Sequence, residues 1–531
     1  MTPTTAIDPD PPTPPPHATS GARGARTTRG SRGAQVSRAA LLTYAQRLLP
    51  SVVPGLVMLV VGAVGLGRPA LGWDEHATWS AAERTPGQIM DFAGNMDGVI
   101  APYYLFIHFW TAAFGDSVTM IRLPSLLAVA GGVALVGELG RRLFTPGAGL
   151  VGALIVAAVP QLSRYAQDAR AYGIAFFFAV LSTLLLYLAL EKPAWWRWLA
   201  YGAALTLLGY SHMIGLLILS GHIFAARRSL SRWAVTVVVA VLLVSPLIRL
   251  GLSQRGTQLE WIAPMDLHQV LIAPGIIFGA PVVGLLIIGL ALAARAKRTD
   301  ANQPGEEQAR AEQPGGEQAR AGWPSGERPA LLGELAALAV LPPVLLIAVS
   351  FVTSPLWVPR YVLFVIMPLA LLAAVALRGL PWRAVLALVL IVAVGFEMQQ
   401  TVRGPSSHGG MDFRKAAAIV AAGQREGDGV VYGRIGTWSL RAGLDYELRG
   451  RAKPADLLLR RPAAEVGGLD GAECPELTCF DTARVWYVGA RRAGDPMADA
   501  GEVLRAKFAA DYRRTGYWLL PLGTIALYER R

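Results

Sequence analysis

From residue 52 to residue 396, apolar runs of membrane-crossing character alternate with short polar loops. The first apolar run is Val52 to Gly67, followed directly by Trp73-Asp74-Glu75-His76. Further spans are expected over Leu123 to Gly140, Gly149 to Leu162 and Tyr172 to Leu190. A fifth and a sixth flank Ser211-His212-Met213, and a seventh runs from Trp233 to Leu250. An eighth ends at Arg295, a ninth and a tenth flank Thr353 to Arg360, and an eleventh covers Ala384 to Phe396. Three of these (the third, fifth and eleventh) fall short of the roughly 20 residues that a full crossing needs, so their limits are soft.

The loops between the runs fix the orientation. Arg141-Arg142, Lys192, Arg197, Arg227-Arg228, Arg295, Lys297 and Arg298 all fall on one side when the spans alternate. Basic residues gather in cytoplasmic loops, so that side is expected to be the cytoplasm. Residues 1–47, rich in Pro, Thr, Gly and Arg, bury too little apolar surface to fold and are expected to form a disordered basic cytoplasmic arm. The expected membrane domain spans 48–400 and a soluble extracytoplasmic domain 401–531. Within the first, 68–122 is a long outer loop whose apolar aromatic stretch, Ile100 to Phe114, is expected to lie along the outer leaflet. Counting that stretch as a span would invert every later loop. The inner loop 299–329 carries two copies of a degenerate ten-residue repeat, Gln303-Pro304-Gly305 and Gln313-Pro314-Gly315, too few and too polar for a solenoid; it is expected to be a disordered spacer. In the last 130 residues Gly429-Val430-Val431-Tyr432 and Val485-Trp486-Tyr487-Val488 read as strands and Asp412 to Ala422 as a helix, enough for one small α/β domain.

Composition agrees with a polytopic membrane protein: 53% hydrophobic, 16% charged, mean hydropathy +0.41. The net charge of +12 is explained by the arm and inner loops, and no nucleic-acid-binding pattern accompanies it, so nucleic acid is not an expected partner. The two cysteines, Cys474 and Cys479, suit a small disulfide loop or two free thiols; without a nearby His they make a poor zinc site.

The predicted outer loops gather Asp74, Glu75, Asp97, Arg164, Asp168, Arg170, His212, Arg255, Arg360 and Tyr361. A carboxylate can deprotonate a hydroxyl, and the planar fork of arginine suits a phosphate. Together they suit group transfer from a lipid phosphate to an alcohol, which needs no redox cofactor. No glycine-rich phosphate loop or His-Glu metal motif is present, and whether a divalent metal assists stays open. Plainer readings exist for each residue. Asp74 and Glu75 can cap a helix, Asp168 and Arg170 can pair at a loop mouth, His212 can be a hairpin tip, Arg360-Tyr361 an interfacial anchor and Asp97 a turn residue.

Several short motifs, in order, resemble the GT-C membrane glycosyltransferases, specifically the branch of protein O-mannosyltransferases and bacterial aminoarabinose transferases. They are Trp73-Asp74-Glu75, Ala101-Pro102-Tyr103-Tyr104-Leu105, Arg122-Leu123-Pro124-Ser125, Tyr165-Ala166-Gln167-Asp168-Ala169-Arg170-Ala171-Tyr172 and Pro359-Arg360-Tyr361. The family's usual His-Pro before the aromatic stretch reads Ile100-Ala101-Pro102 here. The resemblance implies a polytopic α-helical GT-C fold of about eleven spans in the plasma membrane, with the bilayer and a polyprenyl-phosphate sugar donor as partners. It implies inverting transfer to an extracytoplasmic hydroxyl on a glycan, lipid or protein. Asp74, Glu75 and Asp168 would then be catalytic, and Arg164, Arg170, Arg255, Arg360 and Tyr361 would bind donor phosphate. Asp97, His212 and Tyr103 would contact acceptor or sugar. The composition, rich in Ala, Gly and Arg, resembles that of a GC-rich actinobacterium, where the donor would carry mannose first and arabinose second. The alternatives are a non-catalytic homologue and a lipid or sugar transporter; the latter predicts charges deep in the spans and inverted repeats, neither of which the sequence shows.

Overall fold

The computed structural model describes residues 47–300 and 328–531 except Glu476, Thr478 and Ala493. The expected disordered arm and nearly all of the repeat-bearing loop lie outside the described residues. Six helices are long and apolar enough to cross a membrane: Val118–Leu143, Tyr172–Glu191, Met213–Ser253, Ala330–Val352, Pro359–Ala376 and Pro381–Thr401. Two bent pairs raise the number to eight among the described residues. Arg47–Ala63, expected as the first span, and Trp195–Ser211, expected as the fifth, are shorter helices. Apolar side chains face outward along several of these helices; on Pro381–Thr401, for example, Val385, Val389, Val392 and Phe396 are exposed. A surface of that kind is suited to lipid rather than water.

The bends have local causes. Pro160 lacks an N–H and pushes Val159 to an extended conformation (φ −68°, ψ 120°), so Pro146–Ala158 and Pro160–Ala166 meet at 69°. The expected third span is therefore broken, and its second half carries Arg164 toward the loop that follows. The expected single eighth span is likewise two helices, Leu267–Phe278 and Pro281–Ala294, turned by 89° at Gly279, whose φ is +81°. Val118–Leu143 starts five residues before the expected Leu123, because Ser117 accepts a hydrogen bond from the Met120 amide and caps it. Arg122 thus lies inside a helix. Small residues let this helix pack closely on its neighbour: a Cβ on Gly140 would stand 2.7 Å from the Gly149 Cα.

The outer loop folds into Trp73–Ala82, Pro86–Asn95, a 3-10 turn over Gly98–Ile100, and Ala101–Phe114. The apolar faces of these helices close on one another through Ile89, Phe92, Tyr104 and Ile107.

The tail is a three-layer α/β unit. Its strands are β1 (Gly429–Tyr432), β2 (Ala455–Asp456), β3 (Leu459–Arg461), β4 (Ala472–Glu473), β5 (Arg484–Gly489), β6 (Tyr512–Leu520) and β7 (Gly523–Arg530). The main sheet runs β2-β1-β5-β7-β6, with β2, β1 and β5 parallel and β5, β7 and β6 antiparallel. Alternation along β5 sends Trp486 and Val488 to one core and Val485 and Tyr487 to the other. Helices Phe413–Gly423 and Thr437–Leu448 cover the first face and Glu502–Asp511 the second. The sequence patterns place β1, β5 and the first of these helices where the structure has them. Cys474 and Cys479 form a disulfide.

The tail is seated on the outer loop by polar contacts. The Ala70 amide donates to the Pro405 carbonyl (3.0 Å), and Arg414 donates to the Arg68 and Gly67 carbonyls (2.7 and 2.8 Å). The Tyr446 hydroxyl donates to the Asp116 carbonyl (2.9 Å), and Arg449 pairs with the Asp116 carboxylate (2.9 Å).

Candidate active site

Two consecutive acids open the Trp73–Ala82 helix, and the roughly 100° turn per helical residue sends them to different environments. Glu75 points inward and is about 1% exposed, whereas the Asp74 side chain is about half exposed. Glu75 accepts from the Gly72 amide (2.9 Å), which caps the helix, and from the Ala169 amide (2.9 Å). Arg122 meets it with Nε and Nη2 at 2.8 and 2.7 Å. The same guanidinium donates to the carbonyls of Leu66, Pro69 and Ala70 at 2.9–3.0 Å. His408, from the segment leading into the tail, brings Nδ1 to 2.9 Å from Glu75. Burial pushes the Glu75 carboxyl up, but Arg122 and His408 outweigh it and hold it well below the usual carboxylate range. One carboxylate thus ties together the first helix's end, the outer loop, the third-span loop and the tail.

Beside it, Asp168 is buried with Arg164 Nη1 at 3.5 Å and His408 Nδ1 at 4.0 Å. Burial raises its pKa, which Arg164 offsets in part and the charge of Glu75 reinforces. Glu75, Asp168 and His408 offer ligand atoms within 4.8 Å of one another, so among the described residues they are the group able to hold a metal ion. They fit one poorly. Both Glu75 oxygens are already committed to Arg122 and backbone amides, and two guanidiniums balance the two carboxylates.

Asp74 faces outward over a different set. Its Oδ2 lies 3.9 Å from Arg360 Nη2, and its carbonyl accepts from Arg170 Nη1 (3.3 Å) and the Thr78 hydroxyl (3.2 Å). Arg360 donates through Nε to the Tyr172 hydroxyl (3.0 Å). Its guanidinium lies 5.0 Å from the Trp261 ring and 5.4 Å from the Tyr172 ring. His212 and Tyr361 pack together behind it, ring centroids 4.6 Å apart. Arg360, Tyr361, His212 and Tyr172 line a small pocket together with Ala175, Phe176, Leu208, Leu363 and Phe364.

Of the remaining expected residues, Asp97 and Tyr103 sit at the edge of this set. Asp97 adopts a left-handed conformation (φ 56°) and accepts from the Tyr104 hydroxyl (3.0 Å), which lies 3.4 Å from Arg170 Nη1. Burial raises the Asp97 pKa, and Arg170 and the Tyr104 hydrogen bond offset part of that. Tyr103 is buried against the outer-loop helices. Arg255 is not brought in: it is exposed on the short turn Arg255–Gln258. The neighbouring Gln254 is the residue that reaches the site's frame, donating to Ala93 (2.8 Å) and accepting from the Gly98 amide (2.9 Å).

Sequence reasoning missed Arg122 as a site residue, although it opens one of the quoted motifs, and missed His408, His76 and Tyr172. A charged residue in an apolar helix was the available signal for Arg122. His76 donates or accepts at Nδ1 with Ser439 of the tail (3.0 Å) and is edge-on to Phe413. Burial drives the pKa of His76 down to about 3 and that of His408 down to about 4.

The sequence profile of the dolichyl-phosphate-mannose-protein mannosyltransferases matches residues 101–249. Comparison with curated proteins finds no match. Among solved structures, ArnT from Cupriavidus metallidurans bound to undecaprenyl phosphate is similar, with a TM-score of 0.54 at 15% identity over 90% of this chain and 97% of that one. Its apo state gives 0.54 at 14% identity over 94% and 98%. The Archaeoglobus fulgidus oligosaccharyltransferase gives 0.44 at 12% identity over 88% and 71%. The chain is thus a multi-pass membrane protein of the GT-C glycosyltransferase fold, with a small C-terminal α/β domain.

Proposed function

We propose that the protein transfers a sugar from a polyprenyl-phosphate donor to a hydroxyl of an extracytoplasmic glycan, lipid or protein, with inversion at the anomeric carbon. Mannose is the first choice of sugar, in line with the matched profile, and arabinose the second. The observation that carries the reading is Arg360, which lies 3.9 Å from the exposed carboxylate of Asp74 and lines a pocket with several apolar side chains. A phosphate at Arg360 would leave its isoprenoid chain to the apolar walls and present its sugar to Asp74. The undecaprenyl phosphate held by the similar ArnT supports a ligand of this chemistry.

Asp74 accepts the proton of the acceptor hydroxyl as its oxygen attacks the anomeric carbon. The bond from that carbon to the phosphate oxygen breaks, and polyprenyl phosphate leaves with the electron pair. Arg360, and Arg170 behind Asp74, stabilise the charge that grows on the leaving phosphate. Glu75 holds the Asp74 backbone in place through the capped helix, and Asp168 faces Arg164 beside it. Orientation in the plasma membrane follows the basic loops: arm and inner loops cytoplasmic, tail outside. The test is transfer of radiolabel from polyprenyl-phosphate mannose, then from the arabinose donor, by membranes containing the protein. Labelled acceptor from either supports the reading. No transfer from both, with undecaprenyl phosphate failing to bind the purified protein, removes it.

A further inference from the structure

Arg84, just past the Trp73–Ala82 helix, is about 3% exposed, yet it has no carboxylate partner among the described residues. Of the other buried arginines near the site, Arg122 is compensated by Glu75 and three carbonyls and Arg164 by Asp168, while Arg170 meets the Asp74 carbonyl and the Tyr104 hydroxyl. Arg84 makes one side-chain hydrogen bond, from Nη2 to the Gly468 carbonyl (2.6 Å). Among the described residues its Nε and Nη1 are buried with no partner. Its guanidinium lies 4.4 Å from the Phe92 ring, which stacks on Tyr104 at 5.9 Å. Tyr104 in turn touches Asp97 and Arg170, beside Asp74. A guanidinium has five donors, and an uncompensated buried charge is costly.

The Gly468 carbonyl that Arg84 meets belongs to a short tail segment, 463–470, packed on the outer loop. Gly467 adopts φ +64° and accepts from Asn95 Nδ2 (3.0 Å), and Leu469 packs onto the outer-loop core. Two backbone carbonyls and one apolar side chain are among the contacts that hold this segment to the outer loop.

We infer that Arg84 is the anchor of a second anion site, and that segment 463–470 is its lid, the Gly468 carbonyl standing where an anionic oxygen of the acceptor binds. The acceptor would then carry a phosphate or carboxylate in addition to the hydroxyl that is glycosylated. Opening the lid frees Nη2 and exposes the two unpaired donors, which together suit an oxyanion. The inference about the acceptor rests on the transferase reading; the anion site itself does not.

The experiment uses the purified full chain with undecaprenyl phosphate added to saturation, so that the donor site is filled, and titrates inorganic phosphate by calorimetry at fixed ionic strength. The wild type shows saturable binding, and Arg84→Gln weakens it about tenfold or more, the loss of one charge-assisted contact. Arg84→Lys retains part of it. Hydrogen exchange at amides 463–470 speeds up as phosphate binds. Absence of phosphate binding in the wild type, or equal binding in Arg84→Gln, overturns the site. Unchanged exchange at 463–470 overturns the lid. If undecaprenyl phosphate itself does not bind, the donor reading has failed separately, and the same titration is run with Arg360→Gln to remove phosphate binding at that position. Sodium acetate in place of phosphate distinguishes a carboxylate-selective site from a phosphate-selective one.

Discussion

Glu75 and Arg122 meet through two hydrogen bonds of 2.8 and 2.7 Å, and neither side chain reaches solvent. The pair joins residues 47 positions apart and holds the outer-loop helix over the membrane helices. Removing one partner of a buried pair typically costs ~3–5 kcal/mol, because the other charge is left uncompensated. Glu75→Gln or Arg122→Met alone should therefore lower the thermal midpoint and the yield of monodisperse protein in detergent. The double variant should recover part of that loss. Arg122→Lys should not, since an ammonium cannot reach the carboxylate and three carbonyls at once.

Acid sensitivity follows from the two buried histidines. Their folded pKa values, about 3 for His76 and about 4 for His408, lie below the ordinary 6.5. The unfolded chain therefore binds more protons below 6.5, and stability falls as pH drops from there toward 4. Glu75, depressed in the fold, adds a further loss below the ordinary carboxylate range; Asp168, raised, opposes it in part. Thermal midpoints measured from pH 7.5 to 4.5 should decline, and His408→Gln should flatten the curve. A midpoint independent of pH across that range contradicts the buried-neutral assignment.

The seam between tail and outer loop is tight at Gly72. A Cβ there would stand 1.9 Å from the His408 carbonyl oxygen, a contact with backbone that cannot swing aside. Gly72→Ala should expose residues 402–411 to protease and reduce transfer. Gly94→Ala, where a Cβ meets nothing within 4 Å, is the control and should leave both unchanged.

Arg360 should govern donor binding. Losing a charged hydrogen-bonding group costs ~1.5–3 kcal/mol, so Arg360→Gln should weaken undecaprenyl phosphate binding about tenfold or more. Arg360→Lys should restore little, because the Tyr172 hydrogen bond and the stacking on Trp261 both use the planar guanidinium. Binding by Arg255→Gln should match the wild type, since Arg255 lies away from the pocket.

How much of this was legible in the sequence depended on range. Hydropathy marks Val118–Leu143 and Tyr172–Glu191, because an apolar run reports its own helix. The β1 and β5 strands show themselves by composition alone. Short motifs around Asp74, Asp168 and Arg360 identify residues the fold brings together from distant parts of the chain. What hydropathy cannot show is a bend inside an apolar run, so Pro160 and Gly279 passed as parts of straight spans. Nor can it show partners. His408 belongs by sequence to the tail, and only the docking of that segment at Gly72 delivers it to Glu75, 333 positions away. Glu75 and Asp74 are neighbours of the same type, and a helix turn decides which is buried. Arg255 had the charge and the predicted side of the membrane, but the last turn of Leu230–Ser253 points Gln254, not Arg255, at the outer loop.

In the proposed reaction Asp74 acts on the acceptor hydroxyl while Arg360 holds the donor phosphate. The most direct measurement compares wild type with Asp74→Asn in the same membranes, reading sugar transfer from the labelled polyprenyl-phosphate donor that wild type uses, alongside undecaprenyl phosphate binding by each purified protein. Transfer should collapse by at least about a hundredfold, the usual scale for a lost general base, while binding is unchanged. Equal transfer by the two proteins would contradict that role and move the base away from Asp74.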